Sequence, residues 1–187
     1  MIDLSKKGLP DSIIVSGSFV EIKTDFRFWL NFSEKMSEEE IPIKDILECI
    51  RFPIDFERCT NHIDETVEQI KQFMAPKEVT PVEHNVTDTT KVIDFIKDGS
   101  YIYASFMSCY HIDLVDIEYL HWHKFLALFN SLPDNCMIKN IIYMRSYKKD
   151  TRSEESIRKE LKRIWSFPKE IKESEEMKEI NDLFYNS

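Results

Sequence analysis

Residues 115–131 read Val-Asp-Ile-Glu-Tyr-Leu-His-Trp-His-Lys-Phe-Leu-Ala-Leu-Phe-Asn-Ser and contain the longest wholly apolar run of the chain, Phe125–Phe129. A helix drawn over this stretch is apolar on nearly every side. Such a helix is buried at the centre of a bundle rather than lying on its surface. Pro133 ends the pattern, because proline cannot continue a helix. The stretch therefore predicts a helical bundle with its central helix at about residues 115–131.

Towards the N-terminus, two short runs favour β-structure. Residues 12–15 (Ser-Ile-Ile-Val) and 19–22 (Phe-Val-Glu-Ile) are rich in β-branched and aromatic residues and are joined through Gly17. This pattern predicts a small hairpin. A helix with Thr24 as its N-cap is expected to follow, since threonine accepts a hydrogen bond well at that position.

Four more stretches have apolar residues at helical spacing. The clearest carries Ile63, Val67, Ile70, Phe73 and Met74, and Thr60 or Asn61 is its expected N-cap. The others follow Pro42, span residues 101–110 and span residues 137–144. Residues 76–90 have two prolines and no helical period, so we expect a long loop there.

The C-terminal part differs from the rest in charge. Residues 1–144 hold 14 basic and 24 acidic side chains, whereas residues 145–187 hold 11 and 10. The later part has an amphipathic stripe of Ile157, Leu161, Ile164 and Trp165. We therefore expect a mainly α, single-domain helical bundle with a small N-terminal β-hairpin in residues 1–150, and a charged amphipathic helical tail in residues 151–187.

Composition excludes several classes of protein. The 187 residues include only three glycines and have a net charge of −9. Rossmann domains, P-loop enzymes and β-sandwiches need more glycine for phosphate cradles and tight turns. Neither part of the chain is basic enough for nucleic-acid binding, and no apolar run approaches the ~20 residues that span a membrane. Without a signal-peptide pattern, and with four cysteines but no CxxC, we expect a cytoplasmic protein with reduced thiols.

Histidines and cysteines raise the alternative of a zinc site. Cys109, His111, His121, His123 and Cys136 lie in one region of the sequence. Residues two apart on a helix point to nearly opposite sides, however, so His121 and His123 are poorly placed to share a metal. We expect no metal and no cofactor, and an unchanged melting temperature after chelation.

No pattern singles out a catalytic group. There is no GxSxG nucleophile elbow, and no spacing distinguishes one carboxylate pair among many. We therefore expect that the protein is not an enzyme. Aromatic and histidine residues are the candidates for partner binding, because tyrosine and tryptophan anchor interfaces, although a core whose tyrosines reach its rim would have the same composition. The candidates are Tyr101, Tyr103, Tyr110, Tyr119, His121, Trp122 and Trp165.

Four motifs occur together in the order of one family. They are Thr-Asp-Phe-Arg at 24–27, Asp-Gly-Ser-Tyr-Ile-Tyr-Ala-Ser-Phe at 98–106, Tyr-His-Ile-Asp-Leu at 110–114 and Leu-His-Trp-His-Lys-Phe at 120–125. In this the chain resembles the bacteriophage fifteenth-gene-product family of tailed phages and prophages of Gram-positive bacteria. The likeness extends to about residue 149. His111 stands where the family usually has glycine, His123 where it often has a second tryptophan, and Ser131 where it tends to have the glycine of Gly-Leu-Pro.

The resemblance implies a function in virion morphogenesis. Genes of this family usually lie between those of the major tail protein and the tape-measure protein, a position typical of tail assembly chaperones. It implies a non-catalytic protein of the bacterial cytoplasm that binds the tape-measure protein and is displaced by tail-tube protein, and it leaves open whether the protein forms a homo-oligomer. The alternatives are a structural tail-completion or connector protein retained in the virion, and an enzyme of unknown activity.

Overall fold

The computed structural model describes residues 4–35, 41–75 and 92–146. Met1–Ile142 forms one compact unit, and of the second unit, which begins at Tyr143, only residues 143–146 are described. The long loop expected at 76–90, the tail expected at 151–187 and the boundary between body and tail lie outside the described residues.

The N-terminal hairpin has the predicted position. Strands β1 (Ser12–Val15) and β2 (Ser18–Glu21) pair antiparallel, with Ile13 opposite Val20. Ser16 and Gly17 both have positive φ, 50° and 71°. Two left-handed residues match the right-handed twist of a two-residue hairpin, and glycine adopts that conformation without strain.

Helices make up most of the remaining described chain, which confirms the mainly α class with a small hairpin. They are α1 (Phe26–Lys35), α2 (Ile43–Glu48), α3 (Phe56–Asn61), α4 (Ile63–Met74), α5 (Gly99–Tyr110), α6 (Trp122–Asn130) and α7 (Met137–Ser146), with a 3₁₀ turn at Pro53–Asp55. In the described part of the chain, none of these helices has the length and apolarity needed to cross a bilayer.

Both predicted N-caps are wrong. The Asp25 side chain caps α1, since its Oδ1 accepts a 2.9 Å hydrogen bond from the backbone N–H of Arg27. Thr24 instead pairs with the Tyr119 hydroxyl at 2.7 Å. Helix α4 follows His62 without a side-chain cap, while the Thr60 hydroxyl donates back to a carbonyl of α3. Aspartate offers two acceptor oxygens and a negative charge beside the helix N-terminus, which favours Asp25 over its neighbour.

The central helix is shorter than predicted: it begins at Trp122, not near Val115. Earlier in the segment one helical bond, from Ile117 N–H to Asp113 O at 2.9 Å, closes a single turn, but directly before α6 the backbone bonds to the start of α1. Phe26 N–H donates to Leu120 O at 2.9 Å, and Trp122 N–H donates to Thr24 O at 2.7 Å. These bonds satisfy the backbone from outside the segment, so its apolar spacing does not produce a helix.

Asp113 turns the chain at the start of this connecting segment, residues 111–121. Its Oδ1 accepts hydrogen bonds from the backbone N–H of Val115 at 2.9 Å and of Asp116 at 3.1 Å. These bonds hold the pKa of the Asp113 carboxyl below its usual value. An aspartate side chain that binds nearby backbone in this way competes with helix formation.

Phe125 of α6 lies at the centre of the core, fully buried. It stacks with four other rings, those of Phe26, Phe106, Trp122 and Phe129, at centroid distances of 5.1, 5.3, 5.7 and 6.2 Å. The four partners come from α1, α5 and α6 itself. Although α6 is short, it therefore occupies the central position that its sequence predicts.

Candidate functional site

An apolar groove of about 620 Å³ opens beside the central aromatic stack. Helix α1, the turn before α5, the first turns of α5, the connecting segment and α6 all contribute to it. It is lined by Phe26, Arg27, Leu30, Phe95, Gly99, Ser100, Ile102, Tyr103, Leu114, Val115 and Phe125. Its volume lies in the range that bound ligands and anchoring side chains of partners occupy.

The groove has a buried floor and an accessible rim. Phe26, Ile102 and Phe125 form the floor and are at most 4% exposed. Val115 stands on the rim with 74% of its surface exposed, and Tyr103 is half-buried. An apolar side chain of a partner could thus rest on aromatic rings while its backbone stays at the surface.

Arg27 positions one wall of the groove. Its Nη2 donates to the backbone carbonyls of Leu114 at 3.2 Å and Val115 at 3.4 Å, and also to that of Ile117. The guanidinium lies 4.8 Å from the ring centroid of Phe26. One planar cation therefore fixes several carbonyls of the connecting segment against α1.

Tyr103 holds the same segment from α5. Its hydroxyl donates to Asp113 Oδ2 at 3.1 Å, and this hydrogen bond to the carboxylate raises the pKa of Tyr103 above its ordinary value. The connecting segment is thus held from two helices, which keeps the groove open between them.

Gly99 leaves space at the α5 end of the groove. A Cβ built on Gly99 would meet no heavy atom within 4 Å, and the residue does not have a positive φ. A side chain introduced there would enter the groove without a clash, which makes the position suitable for probing it.

Among the predicted partner-binding residues that the structure describes, only Tyr103 lines the groove. Tyr101 and Tyr110 are half-buried, and the Tyr110 hydroxyl donates to the backbone carbonyl of Leu128 at 2.8 Å. Tyr119 is 53% exposed and bonded to Thr24. Trp165 lies outside the described residues.

The remaining two candidates are parts of the core. His121 is 6% and Trp122 2% exposed. The Trp122 Nε1–H donates to the backbone carbonyl of Met74 at 3.0 Å, which ties α6 to the end of α4. In this arrangement neither side chain is accessible to a partner.

The two neighbouring histidines both hold backbone. Nε2 of His121 lies 2.8 Å from Pro10 O, and Nε2 of His123 lies 2.8 Å from Phe73 O. His121 Nδ1 accepts from the backbone N–H of His123, so His121 caps α6 rather than lying on it. Burial lowers the pKa of His121, and lowers that of His123 to about 4.

Nδ1 of His123 is buried and has no partner among the described residues. Within those residues, no three His, Cys, Asp or Glu side chains are grouped so that they could hold a metal ion. Neutral, buried imidazoles that bind carbonyls are suited to a structural role rather than to proton transfer.

Sequence reasoning missed most of the groove. Arg27 and Phe125 were recognised only as members of motifs, and Leu114 and Val115 were divided between a turn and a helix. A signal was present in the four motifs, because motifs far apart in sequence that occur together often meet at one place in a fold. The helical assignment of residues 115–121 concealed that meeting point.

Fold and groove together define a small, mainly α-helical protein with an apolar binding groove. The chain belongs to the family described as Bacteriophage Gp15 protein, which matches residues 6–167. Comparisons with curated proteins and with solved structures found no match. All four motifs that carry the resemblance contribute to the groove: the first through Phe26 and Arg27, the second through Gly99, Ser100, Ile102 and Tyr103, and the last two through Leu114 and Phe125.

Proposed function

We propose that this phage protein is a non-catalytic tail assembly chaperone, which binds the tape-measure protein in the cytoplasm of the bacterial host. In this proposal the groove receives apolar side chains from the helices of the tape-measure protein. Tail-tube protein displaces the chaperone when it polymerises around those helices. Membership of the phage family supports a role in the phage. The groove supports the binding of apolar side chains of a partner.

The groove is the observation on which the proposal chiefly rests. Its floor is made of Phe26, Ile102 and Phe125, and its rim carries the exposed Val115. Amphipathic helices bind other proteins by placing side chains at i, i+3, i+4 and i+7 into grooves of this kind. Tape-measure proteins expose long helical stripes before assembly, so a reversible apolar contact suits their protection.

Charge favours a partner with basic residues beside its apolar stripe. Residues 1–144 hold ten more acidic than basic side chains. Near the groove, the connecting segment carries Asp113, Asp116 and Glu118, and the last two are exposed. Complementary charge speeds association and gives specificity, while the excess negative charge keeps a complex soluble.

Co-expression with the cognate tape-measure protein tests the proposal. We expect the tape-measure protein to remain in the soluble fraction with the chaperone and to precipitate without it. The chaperone should also be absent from purified virions. Equal insolubility of the tape-measure protein with and without it would contradict the proposal, and a fixed copy number in mature particles would indicate a structural tail protein instead.

A matched pair of variants tests the groove separately. Val115→Lys places a charge on its rim, whereas Ile54→Lys makes the same change at a residue that is 87% exposed and does not line the groove. Exposed substitutions of this kind alter stability little. We expect Val115→Lys to abolish solubilisation and Ile54→Lys to preserve it. Equal activity of the two variants would contradict binding in the groove.

A further inference from the structure

Two of the four cysteines touch each other. Cys109 lies near the end of α5 and Cys136 directly before α7, 27 residues later. Their Sγ atoms are 3.4 Å apart, which is contact distance for two thiols. Both side chains are half-buried, so each remains open to small reagents from solvent.

The other two cysteines lie in a different environment. Cys49 and Cys59 are fully buried in the hydrophobic core. Burial raises the pKa of both thiols, and the Cys49 thiol also contacts the backbone carbonyl of Asp45 at 3.7 Å. Burial and the neighbouring Cys109 also raise the pKa of the Cys136 thiol, so the contrast lies in access and not in pKa. Because Cys49 and Cys59 are out of reach of reagents in solvent, their thiols should be inert in the folded chain. All four cysteines lie in the described residues, so the contrast covers every thiol of the protein.

We propose that Cys109 and Cys136 form a reactive thiol pair that closes into an intramolecular disulfide when the protein meets hydrogen peroxide. A disulfide has an S–S distance of about 2.05 Å, so the two sulfurs need to approach by about 1.4 Å. Pro133, Asp134 and Asn135, in the turn before Cys136, are exposed. Movement of that turn can supply the approach without disturbing the buried rings.

The oxidation balances with peroxide as the electron acceptor. The thiolate of one cysteine attacks a peroxide oxygen, which breaks the O–O bond and gives a sulfenic acid and hydroxide. The second thiol then attacks the sulfenic sulfur, the S–S bond forms, and water leaves. In total, two thiols are oxidised, one peroxide is reduced, and two waters are released. The second thiol is already in contact with the sulfenic acid and reacts with it before further oxidation can occur.

The disulfide would fasten the end of α5 to the beginning of α7. Cys109 lies one and two turns along α5 from the buried residues Ser105 and Ile102, on the side of the helix that faces the core. Closing a loop of this length restricts the unfolded chain and stabilises the folded one. The pair therefore offers the protein a reversible means of fixing the beginning of α7 under oxidising conditions.

Mass spectrometry of the full-length chain after peroxide treatment tests the proposal. We expect a monomer that has lost two hydrogens, one crosslinked peptide containing Cys109 and Cys136, and recovery of the reduced mass with dithiothreitol. The melting temperature of the oxidised chain should be several degrees higher than that of the reduced chain. A chain that carries sulfinic acids, intermolecular disulfides or unreacted Cys109 and Cys136 would overturn the proposal.

Variants separate this pair from the other cysteines. Cys109→Ser and Cys136→Ser should each abolish both the mass change and the rise in melting temperature. Cys59→Ala is the matched control, because it removes a thiol that is buried away from the pair, and it should keep both effects. Peptide mapping of the peroxide-treated wild-type chain also identifies which cysteines are crosslinked. The proposal can therefore be tested even if a variant folds poorly. A rise in melting temperature that persists in Cys136→Ser would contradict the proposal.

Discussion

The guanidinium of Arg27 donates a 3.2 Å hydrogen bond to the backbone carbonyl of Leu114, 87 residues away in the sequence. The same nitrogen also binds the carbonyls of Val115 and Ile117. One side chain at the start of α1 thus satisfies backbone acceptors of the segment that connects α5 to α6. It fixes a wall of the groove that no local sequence pattern would place there.

Substitution of Arg27 by lysine should reveal this role. A lysine keeps the charge, but its single ammonium cannot take the place of Nη2 against the three carbonyls and also replace the Nη1 contact with Asp25 and the planar packing on the Phe26 ring. We expect Arg27→Lys to lower the free energy of unfolding by about 1–3 kcal/mol, since carbonyls lose their donors. Hydrogen exchange should also become faster in residues 111–121. Chemical denaturation and exchange mass spectrometry measure the two effects.

Arg51→Lys provides the control for this change. Arg51 pairs with Glu21 at 3.2 Å, but both side chains are about half exposed. Exposed pairs of this kind contribute about 0–1 kcal/mol, and a lysine can replace the arginine in them. If Arg51→Lys destabilised the protein as much as Arg27→Lys, the special position of Arg27 would be refuted.

Local patterns predicted the hairpin and most helices correctly. The β-branched runs around Gly17 and the apolar stripe of α4 are complete within a dozen residues, so their signals do not depend on the rest of the fold. Two N-caps were wrong: at α1 the neighbouring Asp25 is the stronger cap and a tertiary contact takes the Thr24 side chain, and α4 follows His62 with no side-chain cap. The contact at Thr24 is the hydrogen bond between its hydroxyl and that of Tyr119.

Residues 111–121 could not be predicted from their spacing. Ile117 stands at helical intervals from Leu120 and Phe125, yet the turn at Asp113 and the bonds to α1 decide the backbone. The groove was hidden for the same reason, because its wall depends on contacts between residues about 90 positions apart. The spacing of apolar residues shows which of them would share one face of a helix. It does not show which distant backbone groups form hydrogen bonds with the segment instead.

Trp122 should be one of the most sensitive core positions. It is 2% exposed, stacks on Phe125 at 5.7 Å and donates from Nε1 to Met74 O at 3.0 Å. We expect Trp122→Ala to lower the free energy of unfolding by about 3–5 kcal/mol, through lost burial and a cavity. Urea denaturation followed by circular dichroism measures the change.

Trp122→Phe separates packing from hydrogen bonding at this position. Phenylalanine retains an aromatic ring but leaves the Met74 carbonyl without its donor, so we expect a loss of about 1–3 kcal/mol. An alanine variant as stable as the wild type, with weakened partner binding, would instead assign Trp122 to an interface.

His123 should make the stability of the protein sensitive to acid. Burial lowers its pKa to about 4 in the folded chain, whereas an unfolded histidine titrates near 6.5. Between these values the unfolded chain binds a proton that the folded chain does not, so stability falls as the pH falls through this window. The full effect is present above about pH 6.5, and we expect a loss of about 2 kcal/mol from His123 between about pH 8 and about pH 5.

The His123→Gln variant tests the source of that loss. Glutamine can donate to Phe73 O as the Nε2–H of His123 does, but it does not titrate. Its free energy of unfolding should therefore fall less between these pH values than that of the wild type. If the free energy of unfolding of His123→Gln depended on pH as strongly as that of the wild type, His123 would be excluded as the cause.

His111 ends α5 in a left-handed conformation, with φ 55° and ψ 32°. Its N–H donates to Met107 O at 3.1 Å, as expected for the residue that closes a helix. This is the position at which the family resemblance has glycine in place of histidine. A left-handed backbone strains residues that have a Cβ, so we expect His111→Gly to raise the free energy of unfolding by about 0.5–1 kcal/mol.

His111→Ala distinguishes backbone strain from loss of the imidazole. Alanine removes the ring but keeps the Cβ, so the strain remains and no stabilisation should appear. His111→Asn should lie between alanine and glycine, because asparagine tolerates the left-handed region better than alanine does. Thermal and urea denaturation of the three variants give the order of stability. A His111→Gly variant less stable than His111→Ala would show that the backbone at this position carries no strain for glycine to relieve.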